Sequence, residues 1–112
     1  FFMLEAQGSD HLRGDLRLLQ STAFSYGQPD ARVLCEGLAL LEHTDLRAAA
    51  AGMALPSLWL AGRRDKLVSP DAMQQACTSC DGVFKLMQHG GHAPFLTHPE
   101  IIAQHILEST AA

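Results

Sequence analysis

The chain has 112 residues, of which 47% are hydrophobic and 18% charged, and its formal net charge is −4. This length and composition are typical of one globular domain and not of a disordered chain. The negative charge and the scattered positions of the eight Lys and Arg residues argue against a nucleic-acid-binding surface, because such a surface needs clustered cations that neutralise phosphates.

No membrane segment or secretory leader is indicated. The run AAAAGMAL is interrupted by Gly52 and ends at Pro56, well short of the roughly 18 apolar residues that a membrane span requires. The first residues, FFMLEAQ, lack the basic start and small-residue cleavage site of a signal peptide. Three cysteines, an odd number, indicate reduced thiols and predict a cytoplasmic protein. Because Phe1 already lies in an uncapped apolar run, we expect the natural protein to begin further upstream.

Residues 1–53 predict helices. Ser9 or Asp10 can cap a first helix, whose apolar positions recur at spacings of three and four: Leu12, Leu16, Leu19 and Ala23. Asp30 can cap a second helix, with Leu34, Leu38 and Leu41 on one face. Thr44 or Asp45 can start a third helix that ends at Gly52. This half therefore predicts a small helical array.

Residues 54–112 predict the order strand, helix, strand, helix. The apolar runs PSLWLAG (56–62) and VFKLMQ (83–88) lie between chain breakers, as buried strands do. Ser69 before Pro70 marks one helix start, and Thr97 or His98 before Pro99 marks another. The order predicts a parallel βαβ unit with a right-handed crossover. Two strands leave open edges, so we expect them to belong to a larger α/β sheet.

Polar side chains follow both predicted strands. Asp65 lies just beyond the first, in GRRDKLV, and His92 just beyond the second, in HGGHAPF. Adjacent parallel strands lie about 4.8 Å apart, so their carboxyl-end loops can bring a carboxylate to an imidazole. Such a pair fixes the histidine tautomer and prepares the ring to take a proton from a nucleophile. The alternative is that Asp65 caps a turn and His92 lies in an ordinary surface loop.

These segments resemble the acid and histidine segments of α/β-hydrolases. GRRDKLV, GGHAPFLTHPE and the earlier LEHTDLR are most similar to the family of pimeloyl-acyl-carrier-protein methyl ester carboxylesterases of biotin synthesis. The resemblance implies an α/β fold class: the C-terminal portion of an α/β-hydrolase fold, with two parallel strands and helices, preceded by a helical lid segment. Residues 1–53 would be the lid segment and return helix, and 54–112 the C-terminal part of the core.

The resemblance also implies catalytic roles. Asp65 would be the acid and His92 the general base of a Ser-Asp-His esterase. The family's serine lies in a G-x-S-x-G turn, and none of the 112 residues forms that pattern. Ser9 lies between predicted helices and is not a suitable nucleophile. We therefore expect a missing N-terminal portion, either an upstream segment or a separate polypeptide, to supply the serine, and the 112-residue chain alone to be inactive.

The lid segment holds the residues expected to bind the substrate. Arg13 and Arg17, four apart on one helix face, match basic lid positions that receive the acidic acyl carrier protein in the resembled family. The alternative is an ordinary solvated face. Phe1, together with Phe2, Met3 and Leu4, either lines the acyl channel or forms lid core.

Three other interpretations are open. Cys77, Cys80, His89 and His92 invite a zinc site, but their spacing does not match known zinc motifs, so we expect no metal and no cofactor. The three cysteines are then expected to be small apolar fillers. The chain could also be a non-catalytic interaction module, or part of a hydrolase for another acyl ester, a lactone or a thioester.

Overall fold

The computed structural model describes residues 12–111, apart from the side chains of Leu12, Arg13 and Asp15. Phe1 and the predicted cap at Ser9 or Asp10 lie outside the described residues. The elements in chain order are α1 (Leu12–Ala23), α2 (Ala31–His43), α3 (Arg47–Ala51), β1 (Leu58–Gly62), α4 (Pro70–Ser79), β2 (Val83–Met87), α5 (Pro94–Thr97) and α6 (Pro99–Thr110).

Two helices begin at the predicted capping residues. The Asp30 carboxylate accepts a hydrogen bond from the Arg32 backbone N–H at 2.9 Å and starts α2. The Ser69 hydroxyl accepts one from the Ala72 backbone N–H at 3.3 Å and starts α4. Each cap satisfies a backbone donor that a helix start leaves unpaired, so local chemistry decides where these helices begin.

The two strands are parallel neighbours, as predicted. Their register runs from Leu58 opposite Val83 to Gly62 opposite Met87. Helix α4 connects them and contacts both strands. The mixed helices and two parallel strands confirm the predicted α/β fold class.

The described core is small. Apart from Leu19 and Ala93, its buried apolar residues are small or unbranched: Ala61, Cys77, Cys80 and Met87. Cys77 is 2% exposed, as expected of a small apolar filler, and burial, and secondarily the nearby Cys80, raises the pKa of its thiol. The same prediction is wrong for Cys35, which is exposed on α2.

Large apolar side chains remain uncovered in the described part of the chain. Leu34, Leu38 and Leu41 of α2 are 53%, 60% and 78% exposed. The interpretation of both strands as buried holds better for β1 than for β2, where Val83 and Leu86 are exposed. The radius of gyration is 15.5 Å, against about 13 Å for a compact domain of this size. The exposed apolar area is the kind of surface that normally contacts other protein.

Among residues 12–111, none of the helices combines the length and the apolar character needed to cross a membrane.

Candidate active site

Asp65 and His92 are in contact at the carboxyl ends of the two strands. The His92 Nδ1 atom lies 3.0 Å from the Asp65 Oδ2 atom. The Asp65 side chain is 6% exposed, whereas that of His92 is 31% exposed. The structure thus brings together the two side chains predicted to meet, with the carboxylate inside and the imidazole accessible from solvent.

The Asp65 carboxylate is fixed by its own loop as well. Its Oδ1 atom accepts hydrogen bonds from the backbone N–H groups of Leu67 at 2.8 Å and Val68 at 2.9 Å. Asp65 therefore caps a turn, as the alternative interpretation expected, and its catalytic role stays a prediction. The two interpretations are compatible, because one oxygen caps the turn and the other contacts the histidine.

Backbone hydrogen bonds hold the two loops together beyond the strands. The Arg63 N–H donates to the Met87 carbonyl at 2.8 Å, and the Arg64 N–H donates to the Gly90 carbonyl at 3.0 Å. These bonds extend the strand pairing up to the residue before Asp65. The carboxylate is consequently presented to the histidine loop by backbone geometry and not by a flexible side chain alone.

Gly62 is a site residue that the sequence argument missed. A Cβ atom at this position would overlap the carbonyl oxygens of Gly90 and Gly91, so the loops approach each other only because Gly62 has no side chain. Its position at the end of a predicted strand was the sequence signal that could have identified Gly62. Gly90 is also closely packed, since a Cβ atom there would lie 3.2 Å from the Pro94 Cβ and 3.4 Å from the Met87 Cβ.

The contact determines the histidine tautomer. A carboxylate can only accept a hydrogen bond, so Nδ1 of His92 carries the proton that it donates to Asp65. In the neutral ring, Nε2 then carries the lone pair and is the nitrogen able to accept a proton. This is the arrangement in which an imidazole acts as a general base.

No family model matches the chain, but several known proteins are similar to it. The chain is 48% identical over 113 aligned positions to a protein of Stenotrophomonas maltophilia K279a, with all of the chain and 44% of that relative covered. The corresponding protein of strain R551-3 is 49% identical over 104 positions, covering 92% of the chain and 40% of the relative. A protein of Xanthomonas campestris pv. campestris B100 is 44% identical over 113 positions, covering all of the chain and 45% of the relative.

All three relatives are named pimeloyl-[acyl-carrier protein] methyl ester esterase. The chain is similar throughout to the C-terminal part of these esterases. This confirms the resemblance inferred from its motifs. The chain spans less than half the length of the relatives that it matches.

The residues expected to bind the esterase substrate are less completely described. Arg17 is exposed on α1. The side chain of Arg13 and the whole of Phe1 lie outside the described residues. Their binding roles stay predictions.

Two residues of the zinc alternative, Cys80 and His92, take other contacts. The Cys80 thiol donates a hydrogen bond to the Cys77 carbonyl at 3.3 Å, and His92 contacts Asp65. Within residues 12–111, no three His, Cys, Asp or Glu side chains are grouped as a metal site would require.

Proposed function

We propose that this chain supplies the acid, Asp65, and the general base, His92, of a serine carboxylesterase. Its substrate would be the methyl ester of pimeloyl-acyl carrier protein, and its pathway biotin synthesis. The observation that carries the proposal is the 3.0 Å contact between His92 Nδ1 and Asp65 Oδ2 at the ends of adjacent parallel strands. The names of the relatives support the choice of substrate.

The reaction assigns a definite step to each side chain. Nε2 of His92 takes the proton of the serine hydroxyl as the serine oxygen attacks the ester carbonyl. The protonated ring, which Asp65 stabilises, then gives that proton to the departing methanol. A water molecule, activated by the same nitrogen, hydrolyses the acyl-serine and releases the free carboxylic acid.

The serine and the oxyanion donors would come from outside these 112 residues. The sequence holds no G-x-S-x-G pattern, and the chain spans 40–45% of the relatives' length. We use "complete enzyme" for this chain joined to the N-terminal portion that such relatives carry, for example that of the Stenotrophomonas maltophilia K279a esterase. On this proposal the complete enzyme is active and the chain alone is not.

Hydrolysis of pimeloyl-acyl carrier protein methyl ester by the complete enzyme tests the proposal. We expect methanol release, and a loss of several orders of magnitude in kcat for His92→Ala, because the reaction then has no base. His43→Ala is the matched control, since His43 is 77% exposed at the end of α2.

Two results would contradict the proposal. Full activity of His92→Ala would show that another group is the base. Absence of hydrolysis by a folded complete enzyme, with this and with other acyl esters, lactones and thioesters, would favour the non-catalytic interaction module instead.

Arg17, which is exposed on α1, supports acyl carrier protein as the partner. Arg13 lies one helical turn earlier in the sequence of α1. Reversing both charges should raise the KM for the carrier-bound ester and leave hydrolysis of a small ester unchanged. Arg32→Glu, on α2, is the control for a general change of surface charge. Equal losses on both substrates would reject a docking role.

A further inference from the structure

Helix α1 packs directly on the segment that follows His92. Leu19 of α1 and Ala93, the residue after His92, are 7% and 4% exposed and form one apolar cluster. Leu16 of α1 and Leu96 of α5 complete it. This is the contact through which the lid segment reaches the catalytic loop.

Ala93 is fixed on two sides. Its carbonyl accepts hydrogen bonds from the Leu96 N–H at 3.1 Å and the Thr97 N–H at 3.4 Å, which starts α5. Its methyl group is covered by the cluster that contains Leu19. On the other side of His92, the Gly90 carbonyl accepts the hydrogen bond from the Arg64 N–H at 3.0 Å, so the backbone before the ring is tied to the loop that carries Asp65.

Two of the contacts that place His92 lie on different sides of it. Asp65 holds the ring through Nδ1, while the Leu19 cluster holds the backbone immediately after the ring. If that backbone shifts, the imidazole can keep its bond to Asp65 only by tilting, and Nε2 then points away from the reacting hydroxyl. Catalysis is sensitive to such displacements, since an error of about 1 Å can reduce the rate by roughly 10²-fold.

We propose that Leu19 is a positioning residue for His92, acting across the contact between α1 and Ala93. The inference rests on the proposed function, because it assumes that His92 is the base. It adds that α1 has two separate roles: its exposed Arg17 faces the carrier protein, and its buried Leu19 holds the base in place.

The test compares Leu19→Ala with Leu18→Ala in the complete enzyme. Leu18 is the adjacent residue on α1, is 40% exposed and lies outside the cluster. We expect Leu19→Ala to lower kcat roughly 10- to 100-fold, on the carrier-bound ester and on a small ester alike, with the KM values unchanged. Leu18→Ala should keep the wild-type kcat. Leu19→Met should restore most of the activity, because methionine fills nearly the same volume.

A second measurement distinguishes positioning from general loss of structure. The Nδ1–H proton of His92, hydrogen-bonded to Asp65, should give a downfield NMR resonance, and its exchange with solvent should be faster in Leu19→Ala than in Leu18→Ala. If Leu19→Ala does not fold, the kcat and KM of the Leu19→Val variant are measured instead. A lower kcat with wild-type KM then supports the proposal, and a wild-type kcat overturns it.

The His92→Ala variant distinguishes failure of the proposed function from failure of the proposed role of Leu19. Full activity of His92→Ala means that the proposed function itself fails. An inactive His92→Ala together with equal kcat values for Leu19→Ala and Leu18→Ala means that only the role of Leu19 is wrong.

Discussion

At the scale of single residues, the two oxygens of Asp65 have different tasks. Oδ1 accepts two backbone hydrogen bonds within its own loop, and Oδ2 contacts His92. A nearly buried carboxylate held in this way has little freedom to turn away from the imidazole. On the proposed function, its contribution to the reaction would be orientation and tautomer selection of His92, and both need an acceptor at Oδ2.

Asp65→Asn removes that acceptor with little change of shape. The amide can donate to Nδ1 and so favour the wrong tautomer, which costs about 10⁴-fold in kcat in serine hydrolases with this arrangement. We expect a loss of this order in the complete enzyme, measured by methanol release. Asp71→Asn, an exposed carboxylate in the first turn of α4, is the control. An Asp65→Asn variant as active as Asp71→Asn would remove Asp65 from the mechanism.

Asp45 provides a residue-scale prediction outside the site. Hydrogen bonds from the Arg47 side chain, and secondarily from its backbone N–H, lower the pKa of Asp45 from 3.8 to about 2. Because the folded-state pKa is lowered, the pair contributes stability above pH 3.8, and this is lost as the pH falls towards 2. The contribution is small, since both side chains are exposed.

NMR titration of Asp45 measures this directly. In Arg47→Leu, which keeps only the backbone donor, the Asp45 pKa should rise towards 3.8. In Arg32→Leu, which removes a different ion pair, it should stay near 2. An unchanged pKa in Arg47→Leu would show that the guanidinium does not hold the carboxylate.

At the scale of elements, the site depends on how closely two strand ends approach. The parallel register places Gly62 opposite Met87, and the next two backbone N–H groups, of Arg63 and Arg64, bond to the histidine loop. The approach leaves no space for a side chain at Gly62. The same backbone contacts that close the sheet therefore set the distance between acid and base.

Two glycine substitutions should have opposite effects. Gly62→Ala should destabilise the fold by about 1–3 kcal/mol or more, because backbone must move to accept the methyl group, and it should lower activity as Asp65 and His92 separate. Gly37→Ala, within α2 and with open space at its Cβ position, should stabilise by about 0.5–1 kcal/mol. Thermal unfolding of both variants measures this. A Gly62→Ala variant as stable as the wild type would contradict the close approach of Gly62 to the histidine loop.

The sequence predicted those elements whose signals are local. The helix starts at Asp30 and Ser69 depend on side chains beside the backbone that they cap, and β1 and β2 lie within the predicted runs. The four-residue helix α5 was not predicted, since one turn is too short to show a periodicity. Helix α3 begins at Arg47, later than the expected caps at Thr44 or Asp45.

The contact between Asp65 and His92 was predictable because parallel strands end at the same edge of a sheet. The role of Gly62 was not, since it depends on which backbone lies opposite in the neighbouring loop. The exposure of β2 was missed for a similar reason: an apolar run indicates a strand but not which neighbours cover it. The division into residues 1–53 and 54–112 stays a prediction.

At the scale of the whole molecule, the described part has more apolar surface than it can cover. Helices α2, α3 and α6 have no buried residue, although α2 and α6 carry leucine and isoleucine side chains that are largely exposed, among them Leu41, Ile101 and Leu107. Removing such apolar surface from water by association lowers the free energy by about 25 cal/mol per Å². The apolar faces are expected to contact the N-terminal portion in the complete enzyme.

The 112-residue chain alone should therefore associate or bind an apolar dye, whereas the complete enzyme should do so much less. Light scattering and dye fluorescence on the two proteins measure the difference. A compact, stable monomer of the chain alone, without dye binding, would show that its apolar surface needs no partner.

The central claim is that Asp65 and His92 activate a serine that these residues do not include. Labelling with a fluorophosphonate, which reacts with activated serines, tests it most directly. We predict rapid labelling of one serine in the N-terminal portion of the complete enzyme, loss of labelling in His92→Ala, and no labelling of the 112-residue chain alone. Labelling of a serine within the 112 residues, or equally rapid labelling of His92→Ala, would contradict the claim.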